Sequence, residues 1–184
     1  MNYIGNASSY LTETLLGLAL YVVLLRFWMQ WVRADFRNPI GQFLIAVTNP
    51  VIVPLRRVLP SIGFIDTATV LLAFAMAVIK TLILAAIVGY SPAWLSLLAF
   101  SFGELLRASI YIFMAAIFIQ IIASWINPHS YHPVVEIARS IGEPLMAPAR
   151  RIIPPIAGLD LSPILVFLFL QLSLQLVVAP LQHL

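Results

Sequence analysis

Residues 50–66 read PVIVPLRRVLPSIGFID, and residues 144–160 read PLMAPARRIIPPIAGLD. At a constant offset of 94 residues Pro50 falls on Pro144, Pro54 on Pro148, Arg56 and Arg57 on Arg150 and Arg151, Pro60 on Pro154, Ile62 on Ile156 and Asp66 on Asp160. The alignment needs no gap. The same offset reaches back to pair Pro39 with Pro133 and Trp31 with Trp125. A match that runs past the motif at one fixed spacing marks an internal duplication.

Outward from the motif the chain is mostly apolar. Of its 184 residues 62% are hydrophobic and only 9% charged, and the mean hydropathy is +1.02. A soluble domain of this size cannot hide so much apolar surface. Four runs, residues 15–31, 67–90, 108–126 and 161–181, carry at most one charge each and are long enough to cross hydrocarbon at about 1.5 Å per residue. The first run has neither a basic segment before it nor a small-residue cleavage site behind it, so it reads as a retained helix. With no cysteine, disulfides, thiolate chemistry and iron–sulfur ligation are excluded on this chain. The net charge of +3 and the pI near 9.6 come from arginines beside the apolar runs, a pattern of membrane orientation and not of nucleic-acid binding.

Arg33, Arg37, Arg56 and Arg57 lie between the first two spans, and Arg139, Arg150 and Arg151 between the last two. The excess of positive charge predicts that both loops face the cytoplasm and both termini lie outside. The expected architecture is an all-α membrane protein of four transmembrane helices. Residues 1–90 form a first two-helix repeat, 108–184 a second, and 91–107 an outer interfacial connector or a backward extension of the third helix. Each repeat has an even number of spans, so the copies are parallel and related by an axis along the membrane normal. In each loop a short amphipathic helix opened by Pro39 or Pro133 is expected on the bilayer surface. The prolines that follow predict a stiff non-helical strap, Pro54, Arg56, Arg57, Pro60 in one copy and Pro148, Arg150, Arg151, Pro154 in the other. Asp66 stands where the second span begins, and Asp160 where the fourth does.

The paired arginines admit two readings. They orient the chain and touch anionic lipid headgroups, at about 1 kcal/mol per charge near the surface. Alternatively, the straps aim their guanidinium forks at Asp66 or Asp160, within or across repeats, or at the acidic tail of a partner. Inside the spans Arg26, Gln30 and Arg33 share one helix face and correspond, at the repeat offset, to Gln120, Ser124 and Asn127. Likewise Ala77, Lys80 and Thr81 correspond to Gln171, Leu174 and Gln175. Polar side chains in hydrocarbon turn toward neighbouring helices, so these faces are expected to meet near the two-fold axis, as interhelical glue or as a polar pathway. The same faces allow a homo-oligomer. Lys80, near mid-span, either has a functional partner or snorkels outward, toward Glu13. No carboxylate is expected at its depth, which counts against ion-coupled transport. His129 and His132 lack a third ligand, so no metal is expected. With no phosphate loop, nucleophile–base pair or carboxylate pair, neither a cofactor nor an enzymatic activity has support.

The segments Leu25-Arg26-Phe27-Trp28-Met29-Gln30-Trp31, Asp35-Phe36-Arg37-Asn38-Pro39 and Pro54-Leu55-Arg56-Arg57-Val58-Leu59-Pro60, with Ile65-Asp66, resemble the YggT/YlmG family of bacterial and plastid membrane proteins. The second half repeats the pattern as Ser124-Trp125, Glu143-Pro144-Leu145, Arg150-Arg151-Ile152-Ile153-Pro154 and Asp160-Leu161-Ser162-Pro163. The likeness spans nearly the whole chain and is to the double-repeat form of Gram-negative inner membranes. It departs at Glu143, where relatives often have Asp, and at Asn49, which lacks the charge. The resemblance implies a scaffold or assembly role in envelope integrity, division or osmotic-stress tolerance linked to potassium, or a modest transport role. Plastid relatives imply nucleoid distribution and cytochrome complex biogenesis. It carries over no catalytic residue.

Overall fold

The computed structural model describes residues 3–63, 65–126, 131–154 and 160–183. Asn127, His129 and Ile156, singled out above, lie outside them. In chain order the elements are α1 (Tyr3–Trp31), α2 (Pro39–Val58), α3 (Thr67–Val88), α4 (Trp94–Ile126), α5 (Pro133–Ile152), α6 (Ser162–Ser173), a π-helical turn (Leu174–Val178) and α7 (Ala179–Gln182). Four helices, α1, α3, α4 and the composite Ser162–Gln182, are long and apolar enough to cross a membrane. The chain is thus an all-helical, multi-pass membrane fold built from two repeats.

The first span starts earlier than the apolar run alone indicates, at Tyr3, because residues 3–14 continue the helix. Of the two readings for residues 91–107, the structure has the extension: α4 runs 33 residues without a break from Trp94. The hairpin before it closes at Gly89, whose left-handed φ of 76° lets its amide reach back to Ala85 and Ala86.

The straps require a correction. Residues 50–58 and 144–152 are not extended but form the last turns of α2 and α5, with Pro50 and Pro54, or Pro144 and Pro148, inside the helix. The spacing explains why this is tolerated. Prolines four apart stack on one face, and that face is exposed, opposite the buried Leu44, Thr48 and Ile52 of α2 and the buried Ile137, Ile141 and Ala149 of α5. The carbonyls of Ala46 and Pro50, which these prolines deprive of helical donors, therefore belong to exposed residues. Only at Leu59 and Ile153 does the chain leave the helix, so of the expected strap residues only Pro60 and Pro154 lie outside it.

Both helices begin with a cap followed by proline. The Asn38 side chain accepts from the Gly41 amide at 2.8 Å, and His132 Nδ1 from the Val134 amide at 3.3 Å. Only glycine fits at 41, because a Cβ there would lie 2.6 Å from the Phe36 backbone. That closeness lets the loop from α1 double back onto α2.

Because the spans alternate in direction, α2 and α5 lie at the same end, and they touch each other there. The main core joins Leu20, Leu24 and Met29 of α1 to Ala73 and Ala77 of α3 and to Ala108 and Ile112 of α4. Small residues on α3 let α1 pack closely along it. A second cluster, Ile117, Met146, Ala149, Val166 and Leu170, sits inside the second repeat. Trp28 meets Phe113 edge-on at 4.6 Å and bridges the repeats.

The expected two-fold is broken. Helix α3 packs along α4 and α1 touches α5, but among the described residues the counterpart pairs, α6 with α1 and α2 with α4, make no such contact.

Candidate functional site

Each repeat ties its short helix to the base of the next span through an arginine and an aspartate. In the first, Arg56 stands in the last turn of α2. Its Nη2 meets Asp66 Oδ2 at 2.5 Å and its Nε meets Oδ1 at 3.3 Å. Asp66 also accepts from Thr69 Oγ1 at 2.5 Å, and Gln30 of α1 accepts from Arg56 Nη2 at 3.1 Å. Three helices converge on a carboxylate that is 1% exposed. Burial alone would raise its pKa, but the hydrogen bonds from Arg56 and Thr69 outweigh it and hold Asp66 below the usual carboxylate range.

In the second repeat Arg150 Nε meets Asp160 Oδ2 at 3.0 Å, and its Nη1 meets both oxygens of Glu143 at 3.2 Å. Asp160 Oδ1 accepts from the Ser162 amide at 2.9 Å at the start of α6. This joint is open, with a third of the Asp160 side chain exposed. Burial again opposes ionisation, and the Ser162 and Arg150 hydrogen bonds again win, lowering Asp160. Arg150 is raised, since its two carboxylates outweigh its own burial. The structure therefore pairs each arginine with the aspartate of its own repeat. Arg57 and Arg151, one residue on, are exposed and make no ion pair among the described residues.

The polar residues within the spans do not meet at one axis. Arg26 is buried and donates to Thr48 Oγ1 of α2, which donates onward to the Leu44 carbonyl. Gln120, at the equivalent place, donates to the Ala138 carbonyl of α5 at 2.8 Å. The first span of each repeat thus reaches the short helix of its own repeat through a polar side chain. Among the described residues Ser124 and Thr81 bond their own helices, at the Ile121 and Ala77 carbonyls. Gln171 and Gln175 are exposed on the outer face of the fourth span, away from Lys80. The broken two-fold accounts for this, since among the described residues α6 makes no contact with α1 to match that of α3 with α4.

Lys80 does not snorkel to Glu13. It is 3% exposed and pairs with Glu104, itself 5% exposed, whose other oxygen holds Arg107 at 2.6 Å. A carboxylate therefore does stand at the depth of Lys80, contrary to expectation. The hairpin register carried that signal: Lys80 lies eight residues before the end of α3 and Glu104 ten after the start of α4, so the antiparallel pair brings them level.

Beside the open Arg150–Asp160 joint, α4, α5 and α6 enclose a cavity of about 710 Å³. Among the described residues no three His, Asp or Glu side chains group as metal ligands, and His132 serves as the α5 cap. What the arrangement does chemically is hold helices together by charge.

Comparison with known proteins matches a family model described as CCB3/YggT twice, over residues 5–87 and 99–181. A protein called uncharacterized protein YggT from Escherichia coli strain K12 is 36% identical over 166 residues, covering 90% of this chain and 86% of that one. An uncharacterised Pseudomonas aeruginosa protein is 39% identical over 177 residues, covering 95% of this chain and 90% of that one. One from Vibrio alginolyticus is 42% identical over 173 residues, covering 91% of each. No solved structure matches. The two consecutive matches coincide with the two halves that each carry an arginine–aspartate joint, and the chain belongs to the CCB3/YggT family.

Proposed function

We propose that this protein is a non-enzymatic organiser of the bacterial inner membrane, serving envelope maintenance, division or osmotic-stress tolerance. The observation that carries the reading is the pairing of α2 and α5 at one end of the bundle, each locked to the following span by its own joint. Their exposed faces carry Phe43, Val47 and Val51 beside Arg57 and Arg151, a mixture suited to the boundary between acyl chains and anionic headgroups. Positive charge at this end favours the cytoplasmic leaflet, with both termini periplasmic. Such a platform offers Arg57 and Arg151 to lipids and to acidic segments of membrane or division proteins.

The competing reading, a channel or transporter component for potassium or osmolytes, draws on the buried Lys80–Glu104 pair. Both are tested together. Cells that depend on the protein for osmotic-stress survival are expected to lose that survival with Arg57→Gln plus Arg151→Gln, at unchanged membrane abundance. Purified protein in liposomes is expected to pass no potassium. Potassium flux that disappears with Lys80→Ala would overturn the organiser reading in favour of transport.

A further inference from the structure

We infer that the second repeat holds a phospholipid in the cavity between α4, α5 and α6, its phosphodiester against Arg139 and Arg150 and part of one acyl chain against the apolar wall. The inference rests on the proposed placement of α2 and α5 at the headgroup layer and names the ligand that this placement supplies.

The comparison of repeats carries it. At the 94-residue offset Arg26, Phe27, Met29 and Gln30 of α1 correspond to Gln120, Ile121, Ala123 and Ser124 of α4, each pair larger in the first copy. In the first repeat Met29 is fully buried and Gln30 reaches the joint, so the space is filled by the protein itself. In the second, the shortened side chains line a cavity of about 710 Å³, within the range of small-molecule sites. Ile117, Ile121, Met146 and Ile164 make the wall apolar.

The polar groups say what the occupant must offer. Gln30 supplies an acceptor oxygen to Arg56 Nη2, whereas Ser124 is too short and turns to the Ile121 carbonyl. Arg150 Nη2 therefore has no acceptor among the described residues. Arg139, on the cavity rim where the first repeat has Ile45, adds a charge with no ion-pair partner among them. Asp160 also lines the cavity, but its oxygens are engaged by Arg150 and the Ser162 amide, and those of Glu143 by Arg150. Open donors of positive charge beside an apolar wall match acceptor oxygens joined to a hydrocarbon chain. Trp125, 74% exposed at the rim, is suited to the same interfacial layer.

Native mass spectrometry of the detergent-purified protein tests this, with three probes: phosphatidylglycerol, diacylglycerol lacking the phosphate, and glycerol 3-phosphate lacking the chains. One phosphatidylglycerol per chain is expected to be retained, and neither of the others. Refilling the space as the first repeat does, with Ala123→Met plus Ser124→Gln, is expected to abolish the adduct. Arg139→Gln, an exposed change that leaves the fold alone, is expected to weaken it roughly fivefold. An undiminished adduct in both variants, or glycerol 3-phosphate held as well as the lipid, would overturn the proposal. The assay needs no bilayer, so an organiser reading lost in the survival test would leave a positive result here standing.

Discussion

Replacing Glu104 by leucine is expected to destabilise the protein by about 3–5 kcal/mol, because it leaves Lys80 buried without its anion. The effect is large because removing one member of a buried pair withdraws the attraction while the desolvation of the other remains. Arg107 loses its partner too but keeps access to the surface, with a third of its side chain exposed, so it adds little. The double change Lys80→Met plus Glu104→Leu removes both charges and is expected to recover most of the loss. Thermal unfolding in detergent of the two single variants and the double one measures this. A loss in the double variant equal to the sum of the two single losses would show that the pair is not coupled.

Asp66→Asn is expected to cost about 3 kcal/mol, since the fully buried carboxylate accepts a two-point fork from Arg56 and a further bond from Thr69. The same change at Asp160 is expected to cost about 1 kcal/mol or less, because that joint is partly solvated and its screening is greater. The two homologous substitutions should therefore separate clearly in the same melting assay. Their pH dependence follows. Both folded-state pKa values are lowered, so each carboxylate contributes stability above its unfolded value near 4, and the contribution is lost as pH falls through the lower folded value. Stability of the native protein should fall on acidification below about pH 4, and Asp66→Asn should flatten that fall more than Asp160→Asn. Identical acid profiles for both variants would show that burial does not distinguish the joints.

The residues that form the joints were legible as a repeated motif, but their partners were only one of several readings. Arg56 and Arg150 each had an aspartate ten positions on, and sequence spacing does not say whether a chain bearing prolines turns back within that distance. It does, because α2 and α5 stay helical through their prolines and deliver the arginine to the foot of the following span. Glu104 falls within residues 91–107, for which the sequence left two readings, and its height depends on where the α3–α4 hairpin turns. Gln171 and Gln175 looked like partners of Lys80 by repeat correspondence, yet correspondence in sequence does not compel equal packing.

The amino-acid sequence alone determined the duplication, the four spans and the common side of the two arginine loops. Hydrophobic run length and an even number of crossings per repeat leave no other solution for a chain this apolar. Only tertiary structure decided where the copies differ. One joint receives Gln30 and the other lacks that contact because Ser124 stands there, and α3 is packed against α4 while among the described residues α6 makes no contact with α1. The physical reason is that periodicity and hydropathy are properties of single segments, whereas filled or empty space depends on the sizes of side chains arriving together from several helices.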